Sequence, residues 1–351
     1  MILYRLPYSD EVITIESNEV IRLQSIDDLQ GRKGFVMMPY DLESGHEILL
    51  SPLPTSPSGG EAYHCDKLEK IPMHSSHGAL SEEVVTKDSS PWGGWEGAFS
   101  LFMSALQQGR FAKLVLSRMS EIEWEGNEDE LKAAFYRACA MYPRMMIYLA
   151  FIPGEGAWMG CTPEILLSGT GNHYRTMALA GTMSVPDTVP VKEIVWSDKN
   201  RREQEIVADY IRESVSPYVN ILEEEGPYTS RAGQLVHLKT EFHLAPKAGS
   251  TNIAHQLIKT LHPTPAVCGL PTKEAQKFIR ENEGYDRSYY SGVVGMLDED
   301  AETNLFVNLR CAHFNNGKLR LYAGGGILKD SEVQSEWNET NWKMKTILQT
   351  L

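Results

Sequence analysis

Between residues 145 and 168 three short apolar runs, 145–152, 157–161 and 165–168, follow one another with only Pro153-Gly154 and Thr162-Pro163 between them. Strands joined so tightly must pair antiparallel, because a parallel crossover needs a dozen or more residues. The same pattern recurs along the chain. Residues 34–38, 48–50, 111–118, 175–182, 234–242, 292–297, 304–314 and 318–322 read as further strands. Helices are expected over 92–108, from Asn127 to 141 with Glu130 completing a capping box, over 197–215, over 252–261 and from Pro271 or Thr272 to 281. Strands joined both by hairpins and by helices predict an α+β class with large antiparallel sheets and helices packed outside.

The length of 351 residues allows one large domain or two ordinary ones. Turn formers dominate 51–60, and 61–91 is polar and weakly patterned, so an irregular connection is expected there. We expect residues 1–90 to be part of the same single domain as residues 91–351. The net charge of −14, from 33 basic and 47 acidic side chains, argues against nucleic acid as a partner and leaves room for a small anion held by a few local cations. The five cysteines are scattered and suggest neither a disulfide framework nor a zinc site. No basic-then-apolar leader and no run of membrane-spanning length stand out, so a cytoplasmic location is expected; the oligomeric state is left open by these features, with a monomer as the default.

Five stretches carry candidate chemistry. Lys113 begins a strand that is apolar on both faces, so it must snorkel or be used as a base. Glu164 follows Thr-Pro where loops meet sheet, and a protonated glutamate there could act as a general acid. Glu203 borders the buried stripe of the helix that opens at Lys199. Arg310 sits among Val307, Leu309 and Cys311 on what reads as an inner strand, where a buried arginine needs a carboxylate. Finally, Gly324, Gly325 and Gly326 read as a turn with bare backbone amides between a strand and a last helix. Ser331 and Gln334 have the spacing of a capping box there, and Glu336, Glu339 and Lys343 share one helical stripe. Each feature alone has an ordinary structural reading: a snorkelling lysine, a turn carboxylate, a dipole-complementing helix start, a solvated charge pattern.

Together these residues resemble the chorismate-utilising enzymes, which include isochorismate, salicylate, anthranilate and aminodeoxychorismate synthases. The resemblance rests on nine short motifs in order: Lys-Leu-Val-Leu-Ser-Arg at 113–118, Thr-Pro-Glu-Ile-Leu-Leu at 162–167, Ala-Leu-Ala-Gly-Thr at 178–182, Lys-Asn-Arg-Arg-Glu at 199–203, His-Pro-Thr-Pro-Ala at 262–266, Asp-Arg-Ser-Tyr-Tyr-Ser-Gly-Val-Val-Gly at 286–295, Leu-Arg-Cys-Ala at 309–312, Ala-Gly-Gly-Gly-Ile at 323–327, and Glu-Trp-Asn-Glu-Thr at 336–340 followed by Lys343. It implies the fold of anthranilate synthase component I. It also implies an isomerase that turns chorismate into isochorismate by water attack at C2 and loss of the C4 hydroxyl. Lys113 stands where ammonia-using members carry glutamine, and Ala180 where aminodeoxychorismate synthases carry a nucleophilic lysine, so water is the expected nucleophile and no glutaminase subunit is expected.

By the same resemblance Lys113 activates water and Glu164 protonates the leaving hydroxyl. Glu203 and Glu339, with Glu336, hold Mg²⁺, which grips the ring carboxylate together with Lys343 and the amides of Gly325 and Gly326. Arg310 and Tyr322 hold the enolpyruvyl carboxylate, and Thr182 lines the pocket. His237 and His262 match family positions without an assigned role, and Asn200 replaces an acidic residue found in several relatives. Salicylate synthase, which goes on to eliminate pyruvate, stays open as an alternative, as does a non-catalytic binder of an aromatic acid. Menaquinone and siderophore biosynthesis are both open as destinations of the product.

Overall fold

A computed structural model describes every residue except 18, 54–63, 69–93, 187, 233–234 and 251–252. Most of the expected connection over 51–91 therefore lies outside the described residues, as do the expected starts of the helices at 92 and 252 and of the strand at 234. The N-terminal part holds β1 (Ile2–Arg5), β2 (Glu11–Ile15), β3 (Ile21–Leu23), β4 (Gly34–Met38), β5 (Ile48–Ser51) and β6 (His64–Lys67). Next come α1 (Trp95–Gln107), β7 (Lys113–Glu123), α2 (Glu128–Met141), β8 (Met146–Ile152), β9 (Gly156–Thr162), β10 (Ile165–Thr170) and β11 (His173–Ser184). The remainder holds α3 (Asp198–Val215), β12 (Val219–Ala232), β13 (Leu235–Pro246), α4 (Ile253–Leu261), β14 (Gly269–Leu270), α5 (Thr272–Asn282), β15 (Val293–Leu297), β16 (Thr303–Val307), β17 (Cys311–Asn315), β18 (Lys318–Ile327) and α6 (Val333–Leu348).

These strands form two nine-stranded sheets, ordered β14-β7-β18-β17-β9-β8-β1-β2-β6 and β12-β13-β11-β10-β16-β15-β4-β5-β3, with antiparallel pairs throughout. The N-terminal strands complete both sheets at one end. Between the sheets, Tyr4, Tyr148 and Trp158 of the first meet Phe35, Val294 and Phe306 of the second. Burying Phe35 and Phe306 stabilises the fold by roughly 2–3 kcal/mol each. The outer face of the first sheet is covered by α2 and α6, through Phe135, Met344 and Ile347. Helices α3 and α4 cover the second, through Val207, Ile211, Leu257 and Ile258. A strand covered on both faces reads as a continuous apolar run, which is why β8 carries Met-Ile-Tyr-Leu-Ala-Phe-Ile.

Three local expectations are corrected. Gly324–Gly326 are not a turn: β18 runs straight through them, paired with Ser117, Leu116 and Val115 of β7. Ser331 and Gln334 do not cap α6. Its N-cap is Glu332 without a side-chain bond, and the Ser331 hydroxyl accepts from the Leu328 amide instead. The strand expected over 304–314 is two strands, β16 in the second sheet and β17 in the first, and the chain crosses between sheets at 308–310. Arg310, at that crossing, has a left-handed backbone, φ 47°. β12 was not anticipated because most of its residues are exposed, with Glu223, Glu224 and Glu225 in its middle. A charged edge strand of that kind discourages pairing with another chain.

Candidate active site

The expected site residues converge where β7 and β18 of the first sheet approach β11, α3, α6 and the crossing at 308–310. A cleft with about 620 Å³ of empty space, counting its open mouth, is lined by Glu164, Thr182, Glu203, Arg310, Tyr322 and Lys343 together with the glycine strand.

Three carboxylates face this strand, each beside a lysine. Ser197 caps α3 by accepting from the Asn200 amide, which places Glu203 one and a half turns in and buried. Its Oε1 lies 3.1 Å from Lys113 Nζ, itself fully buried at the start of β7. That contact lacks hydrogen-bond geometry, and Lys113 Nζ has no hydrogen-bond partner among the described residues. Burial raises the Glu203 carboxyl, but Lys113 and then Lys199 outweigh it and hold it below its usual range. On α6, Lys343 Nζ donates to Glu339 Oε1 at 2.7 Å and to the Gly324 carbonyl at 2.8 Å. Lys199, in the first turn of α3, donates to buried Glu336. Burial and the neighbouring Glu339 push the Glu336 carboxyl up to about 7, against the pull of Lys199.

The glycines are explained by this crowding. A Cβ on Gly326 would stand 2.0 Å from Glu203 Oε1 and 2.8 Å from Lys113 Cε. On Gly325 it would meet Glu336 Oε2 at 3.0 Å and Glu339 Oε1 at 3.4 Å. β17 pairs with β18 only up to Leu321, so among the described residues the edge beyond it is open. Amides of adjacent strand residues point to opposite edges, so of Gly325 and Gly326 only one can offer its N–H there.

Across the cleft, Glu164 follows β9 and Pro163, with its carbonyl held by the Val307 amide at 2.9 Å. Its side chain is buried, and burial pushes the carboxyl up to about 8 although Lys113, Lys343 and Arg310 pull the other way. This acid therefore carries a proton at neutral pH. Arg310 donates Nη1 to the Ala232 carbonyl at 3.1 Å and Nη2 to His237 Nε2 at 2.5 Å. Guanidinium cannot accept, so His237 carries its proton on Nδ1, which lies 3.2 Å from the Gly181 carbonyl and 3.3 Å from Thr182 Oγ1. Burial, then the charge of Arg310, keeps this histidine neutral. Burial also lowers the Arg310 guanidinium to about 10. Tyr322 is buried in a stack between Trp158 and Tyr290, with ring centroids 5.7 and 5.3 Å away.

Eight of the eleven expected residues line this cleft, and the other three, Lys113, Glu336 and Glu339, stand beside Glu203, Lys199 and Lys343. His237 gains a place as the link between Arg310 and Thr182. His262 does not line the cleft: its Nε2 lies 3.0 Å from the Pro39 carbonyl and burial lowers it to about 4. Asn200 packs on Gly181, whose Cβ would lie 3.1 Å from Asn200 Cβ. The pairing of Lys199 with Glu336 and the lining by Tyr290 and Ser291 were not anticipated. The spacing of Lys199, four residues before Glu203 on one helix face, was the available signal for the first.

The family described as chorismate binding enzyme matches residues 62–351. The salicylate biosynthesis isochorismate synthase of Pseudomonas aeruginosa is 31% identical over 309 residues, 83% of this chain and 62% of that relative. The vibriobactin-specific isochorismate synthase of Vibrio cholerae is 31% identical over 77% of this chain and 69% of its own length. The chain thus spans about six- to seven-tenths of the length of these two curated relatives. Among solved structures, a putative 2,3-dihydroxybenzoate-specific isochorismate synthase of Bacillus anthracis shares the fold, with a TM-score of 0.78 at 22% identity over 99% of this chain and 95% of that one.

Proposed function

The chain belongs to the chorismate-binding enzymes, and we propose that it is an isochorismate synthase. The observation that carries this reading is the pairing of two buried groups near enough to influence each other, Lys113, whose amine has no hydrogen-bond partner among the described residues, and Glu164, whose carboxyl lines the cleft and is raised to about 8. Water is a poor nucleophile and hydroxide a poor leaving group, so exchanging a hydroxyl between two ring carbons calls for a base on one side and an acid on the other. Lys113 takes a proton from the water whose oxygen bonds to C2. Glu164 gives its proton to the C4 hydroxyl, which leaves as water while the ring double bonds shift.

Chorismate carries two carboxylates, and the cleft offers two separated cations to receive them. Arg310, beside Tyr322, would take the enolpyruvyl carboxylate. Lys343 and the outward amide of the glycine strand would take the ring carboxylate, and Thr182 would lie beside the reacting hydroxyl. Glu203, Glu339 and Glu336 are hard oxygen donors, each already beside a cation, and this donor set fits Mg²⁺. Among the described residues their oxygens do not close into a ligand set, since the three are not grouped within 4.8 Å of one another. When bound, the ion would supply positive charge toward the ring carboxylate.

The reading implies a cytoplasmic enzyme that needs no glutaminase subunit, because its nucleophile is water. Among the described residues no helix is long and apolar enough to cross a membrane. The test is incubation with chorismate and Mg²⁺ followed by chromatographic separation. Isochorismate is the expected product, and direct accumulation of salicylate or anthranilate would overturn the assignment.

A further inference from the structure

Ser291 lines the same cleft, is 1% exposed, and its hydroxyl has no hydrogen-bond partner among the described residues. The adjacent Tyr290 hydroxyl is near enough to be influenced by it, but the two do not meet in hydrogen-bond geometry. A buried hydroxyl left bare is costly and rare. Its backbone is also left-handed, φ 60°, a conformation that residues other than glycine seldom adopt. Arg310, at φ 47°, shares both the conformation and the cleft. Strained backbone of this kind gathers where a site needs side chains aimed in a direction ordinary strands do not provide.

The ladder around Ser291 fixes where it stands. The Val307 amide donates to the Glu164 carbonyl at 2.9 Å, the Asn308 amide to the Gly292 carbonyl at 2.8 Å, and the Ser291 amide to the Asn308 carbonyl at 2.8 Å. Ser291 is thus bonded to the chain crossing that carries Arg310, next to the rung that holds Glu164. Asn308 makes that crossing rigid. It is fully buried, its Oδ1 accepts from Tyr148 at 2.7 Å and its Nδ2 donates to the Tyr289 carbonyl at 2.9 Å.

Arg310 leaves work for such a neighbour. Its Nη1 donates to the Ala232 carbonyl and, at 4.0 Å, to Met145 Sδ, and its Nη2 to His237. An ionised carboxylate offers about four acceptor positions, more than the rest of one guanidinium saturates from one side. We propose that Ser291 is a further substrate-binding residue, its hydroxyl donating to the same carboxylate that Arg310 holds. The proposal rests on the isochorismate synthase reading of the cleft. It assigns Ser291 to binding, since that carboxylate is held alike before and during the reaction.

The experiment is steady-state kinetics on chorismate with Mg²⁺ for the wild type, Ser291→Ala and Ser291→Gly, with urea unfolding of each. Loss of a hydrogen bond to a charged group should raise KM about 10- to 100-fold and leave kcat little changed. The unfolding midpoint should stay level in the alanine variant and stay level or rise in the glycine variant, because glycine suits the left-handed backbone. Three results overturn the proposal: KM within twofold of wild type, a loss confined to kcat, or a KM rise accompanied by a lower unfolding midpoint in both variants, which would mark a structural hydroxyl. Wild-type protein that does not convert chorismate removes the underlying reading and this proposal with it. Normal conversion by the wild type and by both variants removes this proposal alone.

Discussion

Two buried acid–base pairs meet the same strand, β7, and they are built in opposite ways. At Val115 and Ser117, Arg287 and Glu283 form a saturated knot. Arg287 donates Nε and Nη2 to the two Glu283 oxygens at 2.6 Å, Nη1 to the Val267 carbonyl at 2.7 Å and Nη2 to the Val115 carbonyl at 2.9 Å. Glu283 also accepts from the Ser117 amide at 2.6 Å and its hydroxyl at 2.8 Å, and the Tyr40 ring lies 4.4 Å from the guanidinium. At Lys113 the pair with Glu203 is a 3.1 Å contact and nothing more. Burial alone therefore does not mark a functional ion pair. The saturated pair has no capacity for a ligand and fixes the height of β7 against α5. The bare pair is as costly to bury and has its bonding capacity free, which is the condition of groups that will meet something else.

Breaking each pair should separate the two roles. Lys113→Ala should lower isochorismate formation by about 10²- to 10⁴-fold, the range of a positioned general base, while far-UV circular dichroism stays close to wild type. Undiminished turnover would remove Lys113 from the chemistry. Glu283→Gln should do the reverse. It strands a buried guanidinium, so the folded state should lose about 3–5 kcal/mol, read by urea unfolding, while kcat of the remaining folded enzyme holds. A large kcat loss at unchanged stability would make the saturated pair catalytic and erase the contrast.

Smaller changes sharpen it. Gly326→Ala places a methyl on Glu203 and Lys113, so the bare pair must part. Turnover should fall about 100-fold, the scale of an ångström-sized misplacement, and Gly325→Ala, whose neighbours stand farther off, should lose less. A chelator should stop turnover in the wild type, with activity returning on Mg²⁺ addition, and should leave the unfolding behaviour of the Glu283–Arg287 knot unmoved. The mildest effect is on pH. Glu164 has its folded value raised from 4.5 to about 8, so the acid is charged and turnover falls as pH rises through about 8. Between 4.5 and 8 the native state holds a proton that the unfolded chain has released, so stability should decline with rising pH across that window. Glu164→Gln should flatten that decline when urea midpoints are compared at the two ends.

Much of this is legible in the sequence. Asn127 and Ser197 announced α2 and α3 through their capping chemistry, and the nine ordered motifs named the residues that the fold gathers. What stayed hidden has physical reasons. Three glycines in a row suggest a turn, because glycine is normally placed for its backbone freedom. Here the reason is the acids of α3 and α6 pressing on a strand, a tertiary fact no local rule contains. A mostly apolar run covers 304–314 without a turn signal although the chain changes sheets at 308–310, since both sheets bury their side chains there. The long edge strand β12 was invisible because an exposed acidic strand lacks the pattern by which strands are recognised. The distinction between the two buried pairs was equally out of reach, for nothing local to Lys113 or Arg287 shows which of them will have its hydrogen bonds filled.

The glycine strand also limits how this cleft can change over generations. A floor made of main chain has no side chains to exchange, and at position 326 the smallest possible addition already collides with Glu203. Drift in what the cleft accepts must then enter through its walls, at Ala180, Leu179, Ala266 or Tyr290, while the floor passes unaltered from one specificity to the next. A scaffold of this sort lets new reactions be tried on one side of a molecule whose anchoring surface is closed to experiment.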